Sequence, residues 1–312
     1  METFHTLEKK PNTSIALGFF DGIHLAHRQI ITTLVKNAKK NGTKSAIISF
    51  SENPANYFSE TKTPAIQTYK DKEIILSALG VDYFFELNFE LFKDISALDY
   101  LKALVKNFSP REIVIGFDHH FGKNKTGNAQ FLKEHENEFG YNCIVIPEQK
   151  IICEKISSTF LRKTIQRGDL ELTKAMLGRY FSIRNSVVKG SGMARKLGFP
   201  TANIIWANNI VRLPYGVYFG FCQIDGPLHP ALISWGKKPT LSAGEEEFLE
   251  AHIFGIDKNL YGKIINVLFE RKVRNEIKFQ NVAQLKSQIQ NDYQAFRKWI
   301  AYCQKITPPV DL

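Results

Sequence analysis

Little in this chain could hold a disulfide framework or a zinc site. Its four cysteines, Cys143, Cys153, Cys222 and Cys303, are scattered through 312 residues without a C-x-x-C pair. They read as buried or free thiols of a reducing compartment, and the expected location is the cytoplasm. No run approaches the roughly 20 apolar residues of a membrane span. The opening residues, Met1-Glu2-Thr3-Phe4-His5, lack the basic stretch and apolar core of a secretory signal. Acidic side chains are the scarcer sign, 31 Asp and Glu against 41 Lys and Arg, for a net charge of +10. The basic surplus is spread along the chain rather than gathered into an arm. It therefore suits anionic small substrates better than nucleic acid. Neither a nucleic-acid nor a membrane partner is expected, and an oligomer is compatible with the sequence but not indicated by it.

A length of 312 residues exceeds the usual single domain, so two domains are the default. The texture of the chain changes near residues 178–182. Before that point, short apolar runs at 14–17, 45–50, 81–85, 112–116 and 143–146 alternate with helix-like segments at 28–35, 71–80 and 98–107. That alternation predicts an α/β domain with a parallel sheet and ligands at the strand C-terminal ends. After it, strand-like segments at 182–188, 215–222, 231–235, 248–254 and 263–269 follow one another without intervening helices. This is the pattern of an antiparallel β-barrel or sandwich, closed by an amphipathic helix over 282–300. The expected domains are residues 1–180 and 181–312.

The first chemistry-bearing stretch is Gly18-Phe19-Phe20-Asp21-Gly22-Ile23-His24-Leu25-Ala26-His27. It joins a strand to a helix through a glycine turn, with two histidines three apart on one helical face. Free N–H groups and the positive end of the helix dipole favour phosphate there. A polar helix-start residue and a satisfied surface histidine would be the plainer account of an isolated H-x-x-H. The glycine turn placed after a strand shifts the reading to a triphosphate site. Two further segments stand out in this half. Gly116-Phe117-Asp118-His119-His120-Phe121-Gly122 follows a strand, and loops in that place carry function. Ile156-Ser157-Ser158-Thr159-Phe160-Leu161-Arg162 reads as a hydroxyl-capped helix start carrying an arginine, and the helix is expected to end at Gly168.

In the second half, the segment 189–203 runs Lys-Gly-Ser-Gly-Met-Ala-Arg-Lys-Leu-Gly-Phe-Pro-Thr-Ala-Asn. It is glycine-rich and basic, as a phosphate cradle would be, but it lacks the G-K-[ST] of a Walker loop. By itself it is equally a mobile surface loop. Phe248-Leu249-Glu250-Ala251-His252 places a carboxylate between apolar neighbours on a strand.

Taken together and in order, these motifs resemble the bifunctional prokaryotic FAD synthetases, which combine riboflavin kinase with FMN adenylyltransferase. The stretch 18–27 resembles the nucleotidylyltransferase signature G-x-F-D-G-x-H-x-G-H, with Ala26 in place of a glycine. Residues 116–127 resemble G-x-D-F-x-F-G-x-x-x-x-G, with His119 in place of phenylalanine. Residues 156–162 resemble I-S-S-T-x-I-R, 197–203 match L-G-F-P-T-A-N, and 248–254 resemble the V-E-x-H strand. Gly236-Lys237-Lys238-Pro239-Thr240 resembles N-x-G-x-R-P-T, with Ser234 and Lys238 as departures.

The resemblance implies a Rossmann-like nucleotidylyltransferase domain followed by a β-barrel of riboflavin kinase type. It implies phosphorylation of riboflavin to FMN by ATP, then adenylylation of FMN to FAD with release of pyrophosphate, with Mg²⁺ serving both sites. Glu250 would be the base for the riboflavin 5′-hydroxyl, and His24, His27 and Arg162 would stabilise charge in adenylyl transfer. ATP of the adenylyltransferase would meet Gly18, Phe19, Phe20, Asp21, Gly22, His24, His27, Ser157, Ser158, Thr159 and Arg162. Flavin would meet Asn53, Asp118, Phe121 and Arg274. ATP of the kinase would meet Gly190, Gly192, Lys196, Gly198, Pro200, Thr201 and Asn203, with Thr201 and Asn203 on the metal. Two rivals stand beside this reading: an enzyme with one working half, and a flavin- or RNA-binding regulator on the same fold.

Overall fold

The computed structural model describes residues 1–190, 192–239 and 245–306. The first half contains β1 (Glu2–Phe4), β2 (Thr13–Leu17), β3 (Lys44–Phe50), β4 (Tyr83–Leu87), β5 (Glu112–Gly116) and β6 (Asn142–Ile146). They form one parallel sheet in the order β1-β4-β3-β2-β5-β6. Successive side chains of a strand point to opposite faces. Ile15 and Leu17 therefore enter one core with Ala46, Ile48, Phe85 and the helix Ala97–Phe108. Ala16 enters the other with Ile47, Phe84, Val114 and the helix Leu25–Asn41. Both faces are covered, which is why these strands read as unbroken apolar runs. The five expected strands of the sheet are present. Three-residue β1 carries too short a pattern to have been read from the sequence.

A two-stranded hairpin, β7 (Lys150–Ile151) with β8 (Glu154–Lys155), follows. The helix Ser158–Arg167 then ends at Gly168, whose φ of +75° suits glycine.

The second half is a closed antiparallel barrel of β9 (Phe181–Val188), β10 (Ala202–Ile204), β11 (Gly216–Gln223), β12 (Leu228–Pro239), β13 (Glu245–Ile253) and β14 (Ile264–Asn275). Its strand order is β10-β13-β12-β11-β14-β9. The closing helix, Val282–Ile306, lays Phe296, Trp299 and Ile300 against Val217, Phe219 and Leu232. Five of the six barrel strands were expected. β10 overlaps the P-T-A-N segment, whose glycine-rich, basic sequence reads equally as a phosphate cradle or a surface loop and not as a strand.

Contacts divide the chain into two compact units. One comprises residues 1–162, 176–178 and 209–211, and the other 163–175, 179–208 and 212–312. No described helix is long and apolar enough to cross a membrane.

Candidate active sites

Strand order in the parallel sheet reverses between β2 and β5, the place where open α/β sheets receive ligands. A cavity of about 270 Å³ lies there. It is walled by the turn after β2 (Gly18, Phe19, Phe20, His24, Ala26, His27), the loop after β5 (Gly116 to His120) and Ser157 and Ser158.

The turn after β2 is strained and tightly braced. Phe20, Gly22 and Ile23 have φ of +53°, +81° and +35°, and both apolar side chains are fully buried. A non-glycine residue held there costs on the order of 1–3 kcal/mol and persists only when its surroundings over-determine it. Asp21 supplies much of that determination. Its Oδ1 accepts the Ile66 N–H at 2.9 Å, its Oδ2 accepts the Arg162 guanidinium, and its carbonyl accepts the Ser158 hydroxyl at 2.8 Å. Arg162 also donates to the Pro64 carbonyl at 2.7 Å. Gly18 is required for space, since a Cβ would sit 2.8 Å from the Phe20 ring.

His24 is the N-cap of the helix Leu25–Asn41, and its Nδ1 accepts the His27 N–H at 3.3 Å. An accepting Nδ1 leaves the proton of the neutral ring on Nε2. The two imidazoles are stacked, with centroids 3.7 Å apart. Burial pushes the His27 pKa well below 6.5, helped by His24 and Lys72. Thus His27 is neutral at pH 7 and offers phosphate a hydrogen bond rather than a full charge.

The remaining expected residues of this half divide into those at the cavity and those away from it. Ser157 lines the wall while its Oγ accepts the Phe160 N–H. Asp118 lines the wall and is paired with Lys155, which stands 4.6 Å over the Phe117 ring. Thr159 is exposed and outside the cavity lining, Gly22 lies behind it, and Arg162 is turned to Asp21. Phe121 is buried in the core against Tyr100 and Phe131. Asn53 caps the short helix Pro54–Tyr57. In this structure Arg162 and Phe121 hold the fold of the site instead of lining it. His119 lines the cavity, and its pKa is lowered to about 4 by burial and His120, with Asp118 opposing.

Sequence reading missed Lys72. It is 5% exposed, and its Nζ donates to the Phe19 carbonyl at 3.0 Å. The signal was a lysine on the buried face of the helix Tyr69–Ala78, four residues before buried Leu76.

In the barrel, two cavities share a wall. One of about 480 Å³ is largely apolar, lined by residues such as Phe199, Leu232, Trp235, Phe248 and Ile289. The other, about 460 Å³, carries Arg195, Asp257, Lys258 and Asn259. Thr201 lines both, and Glu250 lines the apolar one. The Thr201 hydroxyl donates to Glu250 Oε2 at 3.1 Å. Strand register explains the pairing. Leu249 and Ala251 are buried, Glu250 alternates with them, and it stands opposite Asn203 on β10 and Ser234 on β12. A polar row Asn203–Glu250–Ser234 thus crosses three neighbouring strands, and a departure from the family pattern, Ser234, sits in it.

Gly190 packs so closely on Asn203 that a Cβ would lie 2.4 Å from its amide. Gly192 and Gly198 take φ of +71° and +89°, and Pro200 lines the polar cavity. Lys196 ends the short helix Met193–Lys196, and its side chain, like Thr240, lies outside the described residues. Arg274 reaches the apolar cavity with its guanidinium forked onto Asp292 at 2.7–3.1 Å.

A parallel-sheet crevice with phosphate donors and a barrel with a carboxylate at a shared wall define a two-site protein for phosphate chemistry. Comparison with known proteins agrees for each half. The family model described as FAD synthetase matches residues 6–160, and that described as riboflavin kinase matches residues 177–300. The chain is 33% identical to the bifunctional riboflavin kinase/FMN adenylyltransferase of Buchnera aphidicola, covering 95% of this chain and 96% of that one. It is 31% identical to the protein of that description in Escherichia coli K12, covering 92% and 93%. A solved structure described as a macrolide-efflux protein from Streptococcus pneumoniae superposes with a TM-score of 0.85 at 29% identity, covering 95% and 99%. This chain belongs to the bifunctional riboflavin kinase/FMN adenylyltransferase family.

Proposed function

We propose that the protein makes FAD from riboflavin in two steps, one in each half of the chain. Residues 181–312 transfer the γ-phosphoryl of ATP to riboflavin, giving FMN and ADP. Residues 1–180 join FMN to the AMP moiety of ATP, giving FAD and pyrophosphate. The observation that carries this reading is the Thr201–Glu250 contact at the wall between an apolar cavity and a polar one. The apolar cavity suits a flavin ring, and the polar one suits a nucleotide. The 5′-hydroxyl would meet its phosphoryl donor at the wall between them. There Glu250 accepts the proton of the attacking hydroxyl as the new P–O bond forms and the bond to ADP breaks.

Thr201, Asn203 and Glu250 offer a hydroxyl, an amide and a carboxylate, which suits a hard cation, and Gly190 keeps the Asn203 amide clear of any Cβ. Mg²⁺ held by Thr201 and Asn203 would neutralise phosphate charge there.

In the N-terminal site no base is needed, because the FMN phosphate is already an anion. One of its oxygens attacks the α-phosphorus, and pyrophosphate leaves with the electron pair. Charge on the phosphates is met by the His24 and His27 imidazoles and the helix N-terminus. Arg162 acts through Asp21. Asp118 and Lys155 line the same cavity as an ion pair. Free cysteines agree with a reducing cytoplasm.

The test is a reaction of purified protein with riboflavin and ATP, with FMN and FAD resolved by chromatography. Successive appearance of FMN and FAD supports the reading. FMN alone, FAD only from supplied FMN, or flavin binding without turnover would select one of the rivals.

A further inference from the structure

The turn after β2 is held from behind by donors on its carbonyls. Lys72 Nζ and Ser49 Oγ both reach the Phe19 carbonyl, at 3.0 Å each, and Gln67 Nε2 reaches the Phe20 carbonyl at 3.4 Å. No peptide bond among the described residues is cis. In a planar trans peptide the C=O and N–H point in opposite directions. Pulling the Phe19 carbonyl toward Lys72 therefore turns the Phe20 N–H the other way, toward the cavity that Phe19 and Phe20 line. The Phe20 carbonyl does the same for the Asp21 N–H. Among the described residues neither N–H finds an acceptor. Successive N–H groups around a left-handed residue form an anion-binding concavity, and Phe20 is such a residue.

An ammonium is a costly way to brace a carbonyl, because burial disfavours its charge. The buried carboxylates of Asp21 and Glu86 act on Lys72 through their charge and oppose the downward push of burial on its pKa. His27 also faces it.

We propose that Lys72 is a positioning residue for adenylyl transfer, whose buried ammonium fixes the Phe19–Phe20 peptide so that its N–H meets a phosphate of ATP. The proposal rests on the N-terminal site being the adenylyltransferase. The wild-type protein tests that reading first: if it converts no FMN to FAD, the functional reading fails and not the role of Lys72.

The experiment compares Lys72→Met and Lys72→Arg with wild type. It measures the Kd of a non-hydrolysable ATP analogue with the kinase site saturated by ADP and Mg²⁺, the KM and kcat of both reactions, and thermal unfolding. Lys72→Met should weaken analogue binding and lower kcat/KM for FAD formation by roughly 10- to 100-fold, with riboflavin kinase unchanged. Lys72→Arg, which can still donate to the Phe19 carbonyl, should recover at least part of the loss. A folded Lys72→Met variant with wild-type analogue binding and turnover overturns the proposal, as does an arginine variant no better than the methionine one.

Should Lys72→Met fail to fold, two measurements still decide. Ser49→Ala removes the second donor to the same carbonyl and should raise the KM for ATP several-fold in FAD formation only. The wild-type pH profile of FAD formation should fall at alkaline pH below the ordinary lysine range. An unchanged KM in Ser49→Ala together with no alkaline limb overturns the proposal.

Discussion

The two halves solve the same problem, moving a phosphorus group, with opposite materials. The N-terminal site keeps four charged side chains behind the wall, while Asp118 and Lys155, paired with each other, line it. Asp21, Arg162, Lys72 and Glu86 are all at least nine-tenths buried, and the cavity is lined by imidazoles, serines and apolar side chains beside that one ion pair. In the barrel, a carboxylate lines the cavity directly and accepts the Thr201 hydroxyl. The nucleophiles account for the difference. FMN brings its own anionic oxygen, so its site needs geometry and hydrogen-bond donors. Riboflavin brings a hydroxyl, so its site needs a base. A mutation that removes chemistry should therefore act in the barrel, and one that loosens a frame should act in the α/β half.

The largest expected effect is Glu250→Gln. Loss of general-base catalysis typically costs 10²- to 10⁴-fold. FMN formation should fall by about that much while conversion of supplied FMN to FAD stays near wild type. Near-normal kinase turnover in this variant would remove Glu250 from its role and collapse the contrast between the halves.

Next comes Arg162→Ala. Breaking a buried ion pair by removing one partner typically costs about 3–5 kcal/mol, because the other charge is left unpaired. The variant should lower the melting temperature as well as FAD formation, whereas His27→Ala should cut FAD formation about a hundredfold with little change in melting. Both should spare riboflavin phosphorylation. If Arg162→Ala melts like wild type yet loses turnover, the arginine touches phosphate after all and is not a brace.

This is also where the sequence stops being legible. The motif order and alternating apolar runs carried the architecture, because strand period and helix period are written locally. Which side of a wall a charged residue takes is not local. Arg162 meets Asp21 across 141 positions. The phenylalanine expected at the flavin, Phe121, is pulled into the core because the adjoining helix Ala97–Phe108 offers it Tyr100. The row Asn203–Glu250–Ser234 depends on a three-residue strand, β10, whose pattern is too short to read. Lys72 did leave a trace, a lysine at a buried helical spacing, but its partner is a backbone carbonyl and carries no sequence signal.

A smaller effect separates the halves by pH. His119 has its pKa lowered to about 4, whereas the unfolded chain protonates it near 6.5. Above pH 6.5 neither state binds the proton, and stability is unaffected. As pH falls from 6.5 toward 4 the unfolded state gains a proton that the folded state does not, so stability is lost, by about 3 kcal/mol at the lower end. His27, also depressed, adds to the same limb. His119→Phe should flatten part of the acid decline in melting temperature. An equally steep decline in that variant would place the sensitivity elsewhere.

The smallest effect concerns Ala26, which lines the N-terminal cavity in the first turn of the helix Leu25–Asn41. The family pattern carries glycine here, and the extra methyl narrows a cavity of only about 270 Å³. If that methyl crowds ATP, Ala26→Gly should lower the KM for ATP in FAD formation a few-fold and leave the kinase KM unchanged. Glycine also weakens a helix interior by about 1 kcal/mol relative to alanine, and less in the first turn, so melting must be followed in parallel. The two consequences differ in kind, one appearing in ATP affinity and the other in the unfolding temperature. An unchanged or raised KM in a folded variant would mean that the cavity already accommodates the alanine. The α/β site would then tolerate a changed wall residue as long as its buried frame is intact, which is the behaviour expected of a site built from backbone rather than from charge.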